Sequence, residues 1–286
     1  MLKWQVGDVT ITRVVESEVP IPYNAESAFL QQATPDALRS MPWLYPHFVT
    51  ESGDLKLSIH ALLVEAPGLK LIVDTCVGND KPRALFGGQA LQTGFLNTLA
   101  MTGCTREDVN MVVCTHLHVD HVGWNTMLQD GKWVPTFPKA RYLIGKQEFA
   151  HWSQDKDAEQ QEILSDSVQP IFDHGLAELV EMNHRISAEI SLTPTPGHTP
   201  GHVSVMIESK GQRAMITGDM LHHPCQFGHP EWSPSFDSDP VAGASMRRSV
   251  MDKVADQPLL VIGTHFAAPT AGHVKRDGAA FRFDVS

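Results

Sequence analysis

Thr115-His116-Leu117-His118-Val119-Asp120-His121-Val122-Gly123 sets three histidines and an aspartate within six positions. A solvated loop has no need of so many metal-capable side chains, so the stretch asks for an ion and for further ligands elsewhere in the chain. It follows Met111-Val112-Val113-Cys114, an apolar run that reads as a strand buried on both faces. Other runs share that form. Leu71-Ile72-Val73 ends at Asp74-Thr75, Ala214-Met215-Ile216 at Thr217-Gly218-Asp219, and Leu259-Leu260-Val261-Ile262 at Gly263-Thr264-His265. Each run closes on a carboxylate or an imidazole, and α/β sheets gather their ligands at the carboxyl ends of adjacent strands. The expected fold class is therefore α/β.

Bulk composition narrows the partners. Lys+Arg count 22 against 33 Asp+Glu, which leaves a net charge of −11. So acidic a chain offers no basic stripe to displace counterions from a phosphate backbone, and no nucleic-acid partner is expected. The opening residues, MLKWQVGDVTITRVVESEVP, alternate like strands and lack the apolar centre of a signal peptide. No run of about 18 apolar residues is present to span a bilayer. Cys76, Cys104, Cys114 and Cys225 form no CxxC pair, which suits buried free thiols. A cytoplasmic enzyme with no membrane partner is the expectation.

One domain over residues 1–286 is expected, opening on two short strands, Gln5–Val6 and Val9–Val15, joined at Gly7-Asp8. Residues 20–50 are rich in Pro, Ala and aromatics and end in Met41-Pro42-Trp43-Leu44-Tyr45-Pro46-His47-Phe48. They read either as a binding loop or lid, or as a surface meander pinned by its aromatics. Gln92 to Met101 predicts a helix that Gly103 closes. Residues 146–181 predict a helical insertion for packing and lid support, with Phe149, Trp152, Ile163, Leu164 and Ile171 on its apolar side.

His116 and His118, two apart after a strand, can turn both imidazoles into one cavity, and Asp120 and His121 reach a neighbouring position. Four ligands on one loop are hard to gather about a single ion, which favours two ions, separated by roughly 3.5–4 Å in a hydrolytic pair. Further ligands are at hand. Pro194-Thr195-Pro196-Gly197-His198-Thr199-Pro200-Gly201-His202 is a rigid turn presenting His198, Gly218-Asp219 offers a carboxylate able to bridge two cations, and Thr264-His265 offers a last imidazole.

HxHxDH followed by PGHTPGH, a strand-end GD and a strand-end TH resembles the metallo-β-lactamase superfamily over roughly residues 55 to 270. The resemblance implies a four-layer αββα sandwich with a dinuclear site. It implies that His116, His118 and His198 hold one divalent ion, that Asp120, His121 and His265 hold the other, and that Asp219 bridges them. Asp74 matches the family's strand-end aspartate that orients a ligand imidazole from behind. The ions implied are zinc, with manganese, iron or cobalt accepted by the same donors.

Within the superfamily, Asp120 points to hydrolysis, and His118 stands where the di-iron redox branch places a glutamate. The acidic chain lacks the basic surfaces of the RNA-processing branches, and few residues follow His265, where glyoxalase thioesterases carry a helical region. The pattern is most similar to the lactonase, arylesterase and phosphotriesterase-like group. That group implies a lactone or small ester as substrate and, by resemblance only, a homodimer. One departure stands out. His222 occupies the position of a tyrosine that assists the substrate carbonyl in quorum-quenching lactonases, which counts against homoserine lactones and leaves other lactones and esters.

The implied mechanism is attack by a metal-bridging hydroxide, with Asp120 carrying the proton to the leaving group and His222 or His223 as donors to substrate. Trp43, Phe48 and Trp124 are candidates for an apolar pocket wall, with core packing as their other reading. A phosphotriesterase or thioesterase on the same site is the alternative. A non-hydrolytic metal-binding or di-iron redox protein is a further one. Glu231-Trp232-Ser233-Pro234-Ser235-Phe236 reads as a pocket cap or a subunit contact.

Overall fold

A computed structural model describes residues 1–285. The chain forms two compact units, one of Lys3–Ser17 with Ile59–His184, the other of Glu18–Ser58 with the chain from Arg185 onward.

A seven-stranded sheet, formed mostly by residues of the first unit, has its strands side by side in chain order. They are β1 (Lys3–Val6), β2 (Val9–Ile21), β3 (Leu55–Ala66), β4 (Leu69–Val73), β5 (Met111–Cys114), β6 (Arg141–Gly145) and β7 (Ala177–Val180). β4 to β7 run parallel. Parallel strands covered on both faces need continuous apolar sequence, and Val112 and Val113 of β5 are fully buried. β2 continues past the expected end at Val15 to Ile21, since strand pairing rests on backbone groups that polar residues carry as well as valines do. The expected helix from Gln92 is shorter, Phe95–Ala100, and starts only after Gly94.

The 146–181 segment is helical for most of its length: Lys146–Trp152, Ala158–Ile163 capped by Asp157, a π-turn over Leu164–Val168, and Gln169–Asp173. Its end departs from the helical expectation. Ala177–Val180 is the edge strand β7, in parallel register with Tyr142–Gly145, where the exposed backbone of β6 captures it.

The second unit carries a six-stranded sheet, again in chain order. Its strands are β8 (Ile190–Pro194), β9 (Val203–Ser209), β10 (Gln212–Ile216), β11 (Leu259–Ile262), β12 (Ala271–Asp277) and β13 (Ala280–Asp284). β10 and β11 are parallel and the other neighbours antiparallel. The 20–50 segment belongs to this unit. It holds a one-turn helix, Pro35–Arg39, capped by Thr34, and buries Leu30, Leu38, Leu44 and Phe48 in the unit's core. The longest helix, Pro240–Val254, begins at an Asp239 cap. No helix among the described residues is long and apolar enough to cross a membrane.

Candidate metal centre

Each unit places its candidate ligands where two parallel strands end together. In the first, Val73 lies opposite Val113, so Asp74 and Thr115-His116 leave the sheet side by side. Asp74 turns with a left-handed φ of 57° and is 1% exposed. Its carboxylate accepts from the Thr115 amide (2.8 Å), the Thr115 hydroxyl (2.8 Å) and His121 Nδ1 (2.9 Å). That last bond holds the His121 proton on Nδ1 and makes Nε2 the lone-pair nitrogen. The Thr115 hydroxyl has spent its proton on Asp74, so it accepts from His116 Nδ1 at 3.1 Å and fixes the same tautomer there. The His116 ring lies 3.9 Å from that of His121 and 4.6 Å from that of His118, and Asp120 Oδ1 is 3.6 Å from His121 Nε2. The insertion braces this loop. Glu148 accepts from the Leu117 amide and from the Trp152 indole, and Gln160 donates to the Leu117 carbonyl.

In the second unit Ile216 lies opposite Ile262, and Asp219 and His265 follow at the adjoining ends. Gly218, at φ +54°, is required here: a Cβ would sit 2.5 Å from His202 Nε2, which accepts from the Asp219 amide at 2.8 Å. The Asp219 carboxylate is faced by His265 Nε2 at 3.1 Å, His222 Nε2 at 3.2 Å and His198 Nε2 at 3.6 Å. Two of those rings are held from behind, His265 Nδ1 by the Ser58 carbonyl (3.0 Å) and His198 Nδ1 by Asp237 Oδ1 (2.8 Å). Their Nε2 lone pairs therefore turn toward a carboxylate. Imidazole lone pairs and a carboxylate held so close, with the Asp219 side chain 4% exposed, are a donor set suited to a divalent cation. His198, Asp219 and His222 offer one ligand atom each within 4.8 Å of one another. The donors present thus fit divalent metal, by geometry and by type.

The sequence model of the metallo-beta-lactamase superfamily matches residues 56–265. The chain belongs to that superfamily. Its relatives include an N-acyl homoserine lactonase of a Bacillus species, 25% identical over 225 residues, which cover 73% of this chain and 82% of the relative. The N-acyl homoserine lactonase of Bacillus cereus is 25% identical over 228 residues, 75% of this chain and 84% of that one. Among solved structures, the β-lactamase-superfamily hydrolase AbOPH superposes with a TM-score of 0.81 at 24% identity, over 100% of this chain and 97% of its own. AidC, a dizinc quorum-quenching lactonase, superposes with a TM-score of 0.80 at 22% identity, over 99% and 97%. The fold is the metallo-β-lactamase fold, mixed α/β on two large sheets.

The superfamily motifs account for the ligands but not for the aromatic candidates. Phe48 is fully buried against Phe266 and Phe283 and packs the core of the second unit instead of lining a pocket. His223 is a clasp within that core. Its Nε2 donates to the Phe48 carbonyl (2.8 Å), its Nδ1 accepts from the Cys225 amide, and burial pushes its pKa down to about 4. Trp43 is half-buried against the same core. Trp124, in the first unit, stacks on Phe95 and donates its indole N–H to Glu16 (2.6 Å), whose burial raises its pKa. A large apolar side chain is worth more inside than on a pocket rim, and Phe48 follows that rule.

His222 is different. It is 1% exposed beside Asp219, its ring edges meet Phe29 and Phe236, and its Nδ1 has no hydrogen-bond partner among the described residues. Phe29 escaped the sequence reading, since it lies next to no ligand motif, whereas Phe236 ends the 231–236 segment that reads as a pocket cap or a subunit contact. Asp237 and Arg247 escaped it too. Nothing in Phe236-Asp237-Ser238-Asp239 marks Asp237 as the partner of a histidine 39 positions away.

Proposed function

We propose that this hydrolase of the metallo-β-lactamase superfamily opens a lactone or small carboxylic ester with the help of two divalent ions, zinc being the best match to a set of imidazoles and carboxylates. As the family pattern implies, His116, His118 and His198 would hold one ion and Asp120, His121 and His265 the other, with Asp219 as a shared ligand. The observation that carries this reading is the Asp219 carboxylate faced by the Nε2 atoms of His198 and His265, whose Nδ1 atoms are already engaged. The cysteines add no thiolate, since all are buried free thiols and burial raises the pKa of Cys114 to about 12.

Two such ions supply a nucleophile from water at neutral pH and polarise the substrate carbonyl. The protein does the rest. Asp74 and Asp237 hold the His121 and His198 rings in the tautomer that ligates through Nε2. Asp120, with a 17% exposed side chain, accepts a proton from the attacking water and returns it to the leaving oxygen. His222 places a ring N–H at the substrate carbonyl, between the apolar faces of Phe29 and Phe236.

Chelation is expected to abolish hydrolysis, and Asp120→Asn to cut kcat by about 10²–10⁴-fold with both ions retained. Undiminished hydrolysis by the chelated protein would sink the proposal. A panel of lactones, aryl esters, thioesters and phosphotriesters assayed side by side identifies the preferred substrate, and absence of turnover on all of them supports a binding role instead.

A further inference from the structure

The second unit builds an elaborate support behind one histidine. His198 Nδ1 donates to Asp237 Oδ1, and Asp237 Oδ2 lies 3.3 Å from Arg247 Nη1, with all three side chains fully buried. The backbone zips the same place together. The Ser238 amide donates to the His198 carbonyl (2.8 Å), and the Asp239 amide to the Gly197 carbonyl (2.9 Å). Gly197, at φ +138°, leaves no room for a side chain, since a Cβ would meet Gly243 Cα of the Pro240–Val254 helix at 2.4 Å. From that helix Arg247 also donates to the Pro230 carbonyl (2.7 Å), to Ser233 Oγ, and at 3.5 Å to the carbonyl of Met220, the residue after Asp219. Asp237 thus joins Arg247 to His198.

Asp74 supports His121 by the same kind of bond but in another electrical setting. Its other donors are the neutral amide and hydroxyl of Thr115. Asp74 therefore keeps its full negative charge for the imidazole and for a cation beyond it. Asp237 shares its charge with a guanidinium, so the pair behind His198 is neutral overall. A carboxylate behind a ligand imidazole strengthens the ligand nitrogen and attracts the ion, and a paired carboxylate does both less.

We propose that the buried Arg247–Asp237 pair positions His198 while blunting its donor strength, so that the ion on His198 is the weaker-held and first-exchanging of the two. This ranking rests on the dinuclear reading above.

The test is a Co²⁺ titration of the metal-free protein, followed by its d–d absorption and by chelator competition. Wild type is expected to take up two ions in two resolved steps. Asp237→Asn should weaken the weaker step by about 10–100-fold and leave the tighter one unchanged, whereas Asp74→Asn should weaken the tighter step, and the weaker one to a lesser degree through Thr115 and His116. Arg247→Met, by releasing the Asp237 charge, should tighten the weaker step even as it lowers the melting temperature of the metal-free chain. A residue with only a structural role would not produce that opposition. Should these variants not fold, wild type labelled with ¹⁵N-histidine decides the matter, because the His198 ring signals should respond to added chelator before those of His121. The ranking is overturned if His121 responds first, if Asp237→Asn moves the tighter step, or if it moves neither. Uptake of a single ion by wild type overturns the dinuclear reading itself, and the ranking with it.

Discussion

The two ligand clusters solve one problem with different means. In the first unit the supporting carboxylate, Asp74, stands at the end of a strand, and its hydrogen-bonding neighbours Thr115 and His121 sit in or beside the ligand motif. In the second, the supporting carboxylate, Asp237, arrives from a loop between the sheet strands β10 and β11, 39 residues from His198, and needs Arg247 from the following helix. Parallel strands in register bring the first set together almost automatically. The second depends on a helix packed glycine to glycine against the His198 turn. The lesson is that equal chemistry at two histidines does not imply equal electrostatics behind them.

Removing the charged member should show the largest difference. Arg247→Met leaves Asp237 buried without its cation, and the metal-free protein should lose about 3–5 kcal/mol in urea unfolding. A loss under about 1 kcal/mol would mean that the backbone contacts, and not the ion pair, hold the second cluster.

A histidine of the second unit that packs instead of ligating gives the next largest effect. The His223 pKa lies near 4 in the folded chain, below the ordinary 6.5, because burial disfavours its charged form. Between pH 6.5 and 4 the unfolded chain binds a proton that the folded chain refuses. Stability is therefore full above about pH 6.5 and falls as pH drops toward 4, by on the order of 3 kcal/mol. His223→Leu should flatten that limb of a melting-temperature profile, and an unaltered slope would place the acid sensitivity elsewhere.

The smallest of the three effects is expected at Asp74→Asn. It keeps an acceptor for His121 and leaves one Thr115 donor poorly met, at about 1–3 kcal/mol in the metal-free chain. Equal losses at Asp74 and Arg247 would erase the contrast between neutral and charged support.

Much of both candidate clusters could be read in the chain because their parts are close in sequence or end runs of unmistakable apolar character. His116, His118, Asp120 and His121 share one loop, and Asp74, Asp219 and His265 each close a strand whose valines, leucines and isoleucines announce it. Helix limits and the edge strand Ala177–Val180 were harder, since that short segment is settled by an available partner strand and not by its own pattern. The aromatic candidates kept two readings for a similar reason. Trp43, Phe48 and Trp124 suit a pocket and a core equally in the sequence, and only their neighbours distinguish the two.

The order of ligand types along the chain was enough to determine the superfamily, the metal chemistry and the strand ends that carry it, because those follow from hydrophobic runs and from side-chain type. Tertiary structure alone decided that Asp237 and Arg247 stand behind His198, that Phe29 and Phe236 flank His222, and that Phe48 and His223 belong to the core. Those are contacts between segments far apart in the chain. No local propensity encodes them, and they exist only once helix, loop and sheet have packed.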